Sequence, residues 1–219
     1  SFPTRRSSDL DSMATYMTGD NILFSNDAFG QHLASERLYN DLVDQGDLFD
    51  EAIKYYANII TPFSAILRKK LDEIIALNLP IDIIATSHGI IWRDNPMQIV
   101  EKYVQWANDY QENQITIIYD TMWNGTKTIA EKIAEGIFEQ DKDVQIKVFN
   151  LAKSDENDLI TEIFKSKTVL IGSPTVGNSV LHSVAGFIHM VKEMKFKNKK
   201  AAAFGCYGWS GESVKVINE

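Results

Sequence analysis

The sequence predicts an α/β protein whose second half is a doubly wound parallel sheet. From Ile115 onward, short β-branched runs alternate with longer stretches that carry apolar residues at helical spacing. Helices of that length between strands imply right-handed parallel crossovers. Three of the strands also run into turns rich in Gly, Ser, Thr, Asn or aromatic residues, at the carboxyl edge where open α/β sheets bind ligands.

Taken in order, Ser1–Leu10 shows no usable periodicity and resembles a translated sequencing-adapter remnant, so residues 1–12 are read as a non-native or disordered extension. Asn21-Ile22-Leu23-Phe24 is an extended stretch ending in Ser25-Asn26-Asp27. Phe49, Ala52, Ile53, Tyr56, Ile59 and Ile60 predict a helix. Thr61 is expected to cap a second one, with Pro62 at its first position and Phe63, Ile66, Leu67, Leu71, Ile74 and Ile75 on one face. Asn78-Leu79-Pro80 breaks it. Ile81–Ala85 reads as a buried strand, and a helix capped by Asn95 carries Ile99, Val100, Tyr103, Val104 and Ala107. The polar run Asn108–Gln114 reads as a connector, which divides the chain into residues 13–112 and 113–219. Four strands follow, Ile115–Tyr119, Val144–Phe149, Thr168–Gly172 and Ala201–Gly205. The helices between them bear Ile129, Ile133 and Ile137, then Leu159, Ile160 and Ile163, then Val184, Phe187 and Val191. A further helix starts near Val214, and the chain is read as an internal fragment lacking the last strand of its sheet.

Composition narrows the function classes. With 44% hydrophobic residues, 219 residues can bury one large core or two modest ones. A net charge of −8 and a pI near 5.1 argue against nucleic acid, which needs clustered Lys and Arg. Lys195–Lys200 is expected to be a solvated connector. One cysteine, Cys206, excludes an intramolecular disulfide and fits a reducing compartment. No apolar segment reaches the roughly 20 residues of a membrane span. The chain therefore reads as soluble and cytoplasmic, with neither nucleic acid nor membrane as partner.

Three loops carry the candidate chemistry. Thr121-Met122-Trp123-Asn124-Gly125-Thr126 joins a strand to a helix. Backbone N–H groups and the positive end of a helix suit an anion there, with Thr121, Asn124 and Thr126 adding side-chain donors. The loop lacks the lysine of a P-loop and the G-x-G-x-x-G of a dinucleotide site, so a terminal monophosphate such as that of FMN is the expected ligand. In Pro174-Thr175-Val176-Gly177-Asn178, which follows Ser173, an irregular backbone offers amides to a flat ring. Gly205-Cys206-Tyr207-Gly208-Trp209-Ser210-Gly211 combines close backbone approach with aromatic faces for stacking, as Trp123 does in the first loop.

With these loops in order, residues 114–219 resemble a flavodoxin-like FMN domain. Ala203–Gly211 is particularly similar to the flavodoxin half of flavodiiron proteins. In that family a metallo-β-lactamase-like αββα domain comes first, and residues 13–112 resemble its C-terminal portion. Ser25-Asn26-Asp27-Ala28-Phe29-Gly30-Gln31-His32 matches the segment of the metal-bridging aspartate. Thr86-Ser87-His88-Gly89-Ile90-Ile91-Trp92-Arg93 matches that of the last histidine ligand.

The resemblance implies Asp27 and His88 as metal ligands, FMN and two irons as cofactors of the intact parent, and no catalytic side chain beyond them. It implies an oxidoreductase passing electrons through FMN to a non-haem di-iron centre that reduces dioxygen to water or nitric oxide to nitrous oxide. Rubredoxin or another small protein would be the donor. A homodimer or homotetramer would bring the flavin of one subunit to the metals of its partner, with Trp209 and Trp92 as candidate contact residues. The family's remaining ligands have no counterpart here, so this chain alone is expected to lack the full metal site. His32 and His189 are assigned structural roles, and His182 a place near the flavin. Two alternatives stay open, a flavodoxin-type electron carrier with an unrelated N-terminal extension and a metallo-β-lactamase-type hydrolase.

Overall fold

The computed structural model describes residues 13–219, so the reading of residues 1–12 lies outside the described residues. The chain forms two compact units. One comprises the chain up to Tyr56 together with Phe63–Asn108. The other comprises Ala57–Pro62 and Asp109–Glu219.

In the first unit, β1 (Thr15–Met17) pairs antiparallel with β2 (Ile22–Asn26), which pairs parallel with β3 (Ile83–Thr86). Helices α1 (Gln45–Tyr55), α2 (Ser64–Ala76) and α3 (Met97–Ala107) complete it. Its core is aromatic. Tyr103 packs on Phe29 at 4.7 Å and edge-on to Tyr56 at 4.9 Å, with Trp106 against both tyrosines. Such tilted and edge contacts bring the positive rim of one ring to the negative face of another.

One expected cap is absent. Asn95 does not cap α3; it takes a left-handed φ of 45°, and Pro96 occupies the cap position without a side-chain bond. Thr61 and Pro62 start a single 3-10 turn ahead of α2, and residues Tyr56–Ile60 continue α1 as a π-helical turn. The apolar period runs through 49–60 unbroken, so it could not reveal the widened turn. The strand predicted at Ile81–Ala85 lies two residues later at its start.

In the second unit, β4 (Glu112–Tyr119), β5 (Gln145–Asn150), β6 (Ser166–Gly172) and β7 (Lys200–Phe204) form an all-parallel sheet in the order β5-β4-β6-β7. The order reverses direction at β4, which places a topological switch point between β4 and β6. Alternation along β4 separates the two faces. Ile117 and Tyr119 pack with Ala130 of α4 (Gly125–Gln140). Ile118 packs with Leu159, Ile160 and Ile163 of α5 (Glu156–Lys165) and Val184 and Phe187 of α6 (His182–Met194). Helix α7 (Glu212–Asn218) adds Val216 and Ile217 on that side. Helices thus cover both faces, as a parallel sheet requires.

The polar run before Ile115 is not all connector, because β4 already begins at Glu112. Gln114 is fully buried, with its amide nitrogen 2.8 Å from the Glu162 carboxylate and 3.0 Å from the Ser166 hydroxyl. Lys199 at the same end of the sheet donates to the carbonyls of Phe164 (2.8 Å) and Ser166 (2.7 Å), where α5 turns into β6.

Burial pulls the Lys199 ammonium down from 10.5 to about 8, against the attraction of Asp109. Between those values the unfolded chain binds more protons than the native one, so this group makes stability rise with pH from about 8 toward 10.5. Tyr110 acts oppositely above 10, because burial and Glu112 hold its proton up to about 12. Thermal unfolding at pH 7, 9 and 10 should show the Lys199 rise, and Lys199→Met should flatten it. An unchanged pH profile in that variant would refute the assignment.

Candidate functional site

The three sequence-identified loops meet at the carboxyl edge of the second unit. Each strand ends in a bond to its neighbour: Asp120 N–H donates to Gly172 O (3.1 Å), and Ser173 N–H to Phe204 O (3.2 Å). The first loop, 121–126, opens α4. Asn124 sits at its N-cap with φ 65° and makes no side-chain cap bond. Thr128 N–H is bonded to Asn124 O, whereas Met122, Trp123, Asn124 and Gly125 are exposed. Thr126, expected as a free donor, is instead fully buried, with its hydroxyl 3.3 Å from Cys206 Sγ.

The second loop folds on itself. Ser173 Oγ donates to Pro174 O and accepts from Leu181 N–H, which closes the loop at its base. Val176 and Ser179 exchange both backbone bonds at 3.0 Å across Gly177 (φ 57°) and Asn178 (φ 61°), the left-handed pair that a primed two-residue turn needs. The third loop is tied to the second. Thr175 N–H donates to Cys206 O (2.9 Å), and Ser213 N–H donates to the Thr175 hydroxyl (3.2 Å).

Two kinds of group are left over on this edge. Trp123 and Trp209 expose 88% and 92% of their surface and Tyr207 66%, which is far from a core role. In contrast, the hydroxyls of Thr121 and Ser210 are buried without a hydrogen-bond partner. A buried orphan hydroxyl costs about 1–3 kcal/mol unless something satisfies it. Exposed rings beside unsatisfied donors, at a helix N-terminus, are what a planar ligand with an anionic tail requires. His182 and His189 lie exposed on α6.

The other sequence-identified residues come together in the first unit. His88 Nε2 lies 3.3 Å from Asp27 Oδ1, and both side chains are about half exposed. His32 stands edge-on to Tyr55 at 4.9 Å and to His88 at 5.7 Å. Burial, with Asp27 adding to it, pushes the Tyr55 hydroxyl up to about 12. Among the described residues no group of three or more His, Cys, Asp or Glu is arranged to hold a metal. Trp92, a candidate contact residue, is fully buried, and its indole N–H donates to Phe29 O (2.9 Å). It is a core residue because the loop after His88 folds inward over Phe29.

Sequence reasoning gave no role to the residues that hold these loops. Gln31 is fully buried, and its carboxamide bonds both the N–H (2.6 Å) and the carbonyl (3.0 Å) of Ile90. Gly89 has φ +77°, and a Cβ there would fall 1.5 Å from Gln31 Oε1. Asp120 and Ser183 are likewise joined by a hydrogen bond beneath the first loop. A glutamine inside an otherwise apolar turn was the signal available for the first of these.

Comparison with known proteins gives a consistent set of relatives. A Flavodoxin family model matches residues 117–218. The anaerobic nitric oxide reductase flavorubredoxin of Salmonella arizonae is 56% identical over 208 residues, covering 95% of this chain and 43% of the relative. That of Vibrio vulnificus is 53% identical, with 42% of it covered. The chain thus spans less than half the length of the curated relatives it matches. Among solved structures, rubredoxin oxygen:oxidoreductase from Desulfovibrio gigas superposes with a TM-score of 0.91 at 33% identity, over 95% of this chain and 52% of that one. The flavodiiron protein of Giardia intestinalis gives 0.85 at 32% identity, over 91% and 49%.

The packing of the third loop yields a test of its geometry. A Cβ at Gly205 would lie 2.2 Å from Ser173 O and 2.7 Å from Ser213 Oγ, whereas one at Gly208 would meet nothing within 4 Å. Gly205→Ala should therefore cost about 1–3 kcal/mol in urea unfolding, and Gly208→Ala should stay within about 0.5 kcal/mol. Equal effects would mean that the loop sits elsewhere.

Proposed function

Because the chain belongs to the flavodiiron proteins, we propose that it carries the FMN site and part of the iron site of an oxidoreductase. Residues 113–219 would be the truncated FMN-binding domain and residues 13–112 the C-terminal portion of the metallo-β-lactamase-like domain. The parent protein would pass electrons through FMN to a non-haem di-iron centre that reduces nitric oxide to nitrous oxide or dioxygen to water. The observation that carries the reading is the edge where three loops meet, with its buried unpartnered hydroxyls and exposed aromatic rings.

The residues present fit FMN. The amides opening α4 and the Thr121 hydroxyl would hold the phosphate, with Met122, Trp123, Asn124, Gly125 and Thr126 forming the cradle. Pro174, Thr175, Val176, Gly177 and Asn178 would offer backbone donors to the ring. Gly205, Cys206, Tyr207, Gly208, Trp209, Ser210 and Gly211 would close over it, with Tyr207 and Trp209 supplying stacking faces. When bound, FMN supplies one-electron steps between a donor and an acceptor. The protein's own task there is to orient the ring and keep the phosphate anchored.

Asp27 and His88 would be iron ligands, since a carboxylate can span two cations and a neutral imidazole suits iron. They would be two donors of a larger set. A rubredoxin or another small redox protein would supply electrons to a cytoplasmic homodimer or homotetramer. The 56% identity to proteins named as nitric oxide reductases makes nitric oxide the first substrate to test.

Flavin fluorescence titration tests the FMN assignment. The chain should bind FMN and quench its emission, and Thr121→Ala and Trp209→Ala should each weaken binding roughly tenfold. Unchanged affinity in both would place the flavin elsewhere. After anaerobic reconstitution, the chain alone should retain fewer than two irons. Stoichiometric retention of a full pair would show that the ligand set lies among residues not considered.

A further inference from the structure

We infer that Asp120 is a positioning residue that sets the phosphate loop before the flavin arrives, acting through Ser183. This deepens the FMN reading and rests on it. Asp120 is 8% exposed and directly follows the strand that feeds the first loop. One carboxylate oxygen accepts from the Thr121 N–H at 2.7 Å, and the other accepts from the Ser183 hydroxyl. Ser183 lies in the first turn of α6, directly after the second loop.

The bond completes a ring of cross-links. Thr126 to Cys206 joins the first loop to the third, and Thr175 to Cys206 and Ser213 joins the second to the third. Asp120 to Ser183 joins the first to the exit of the second. Each pair of loops is therefore pinned by polar contacts that need no ligand.

A carboxylate beside an anion site is otherwise a poor choice, because like charges repel. Its placement explains the choice. By taking the Thr121 N–H, Asp120 turns that amide back toward the strand, while the Thr121 hydroxyl stays buried and unpartnered for a ligand. Charged acceptors make the stronger hydrogen bonds, so a carboxylate holds the turn more firmly than a neutral group would.

The test is a double-mutant cycle on the chain, read by titration with FMN and with riboflavin, which lacks the phosphate. Ser183→Ala should weaken FMN about tenfold and Asp120→Ala, which also frees the Thr121 N–H, by at least as much, and the double variant should lose little more than Asp120→Ala alone, because the Asp120–Ser183 bond is already gone. Riboflavin affinity should hold in every variant, since the loop being positioned is the one for the phosphate. Asp120→Asn, whose carboxamide can accept from Thr121 N–H and donate to Ser183 Oγ, should recover most of the FMN affinity that Asp120→Ala loses, short of full strength because its acceptor is neutral. Parallel losses for riboflavin, multiplying losses in the double variant, or full FMN affinity in Ser183→Ala would each overturn the inference. Should Asp120→Ala fail to fold, Ser183→Ala and Asp120→Asn decide the matter between them. If the unmodified chain binds no FMN, the flavin reading itself fails. If it binds FMN and the variants match it, only the role of Asp120 falls.

Discussion

The parallel pairing of β4 with β6 is the constraint from which the rest of the second unit follows. Ile115 lies beside Thr168 and Tyr119 beside Gly172, so the two strands end level. The next residues continue the ladder, Asp120 to Gly172 and Ser173 to Phe204, and so bring three loops to one edge. A slip of one residue would exchange the faces of Ile117 and Ile118, exposing one to the wrong helix layer. Gly172 is needed at this point because the Phe204 ring lies 2.3 Å from where its Cβ would stand. A side chain there would push β7 and the third loop away from the other two.

The two candidate sites are assembled by different means. The loop edge of the second unit uses consecutive strand ends, so its geometry is inherited from a regular sheet and refined by a few side-chain bonds. Asp27 and His88 come from loops 61 residues apart in sequence. They meet because Gln31 holds Ile90, Ser87 N–H reaches Asn26 O, and Gly89 accepts a backbone that other residues resist. A carboxamide bonded to both polar groups of one peptide residue replaces a strand pair where the chain must turn. His32 then stands edge-on to His88, and the Tyr55 ring lies tilted against it.

Polar satisfaction marks out where a ligand belongs. At the loop edge of the second unit most buried donors and acceptors are paired, including Ser173, Thr126 and Asp120. Thr121 and Ser210 are exceptions on the first and third loops, as is one carboxylate oxygen of Glu212 where α7 begins. Such exceptions are rare in folded proteins and point to something else that completes them. The exposed indoles of Trp123 and Trp209 sit on the same two loops, which joins a polar shortfall to an apolar surplus.

The sequence by itself determined the element order, the doubly wound sheet and the three loops, because each rests on local periodicity or on turn chemistry read over a few residues. It also singled out Asp27 and His88, through short motifs whose order along the chain was informative. Only the tertiary structure decided that Thr126 turns inward to Cys206, that Trp92 is core, that Gln114 is buried in a strand, and that Gln31 and Asp120 hold the loops. It also decided that Asn95 is not a cap. These outcomes depend on partners dozens of residues away, and a hydroxyl or carboxamide has no local signature that tells solvent from a distant backbone group. Periodicity is a property of one segment, whereas the satisfaction of a buried polar atom is a property of the whole packed chain.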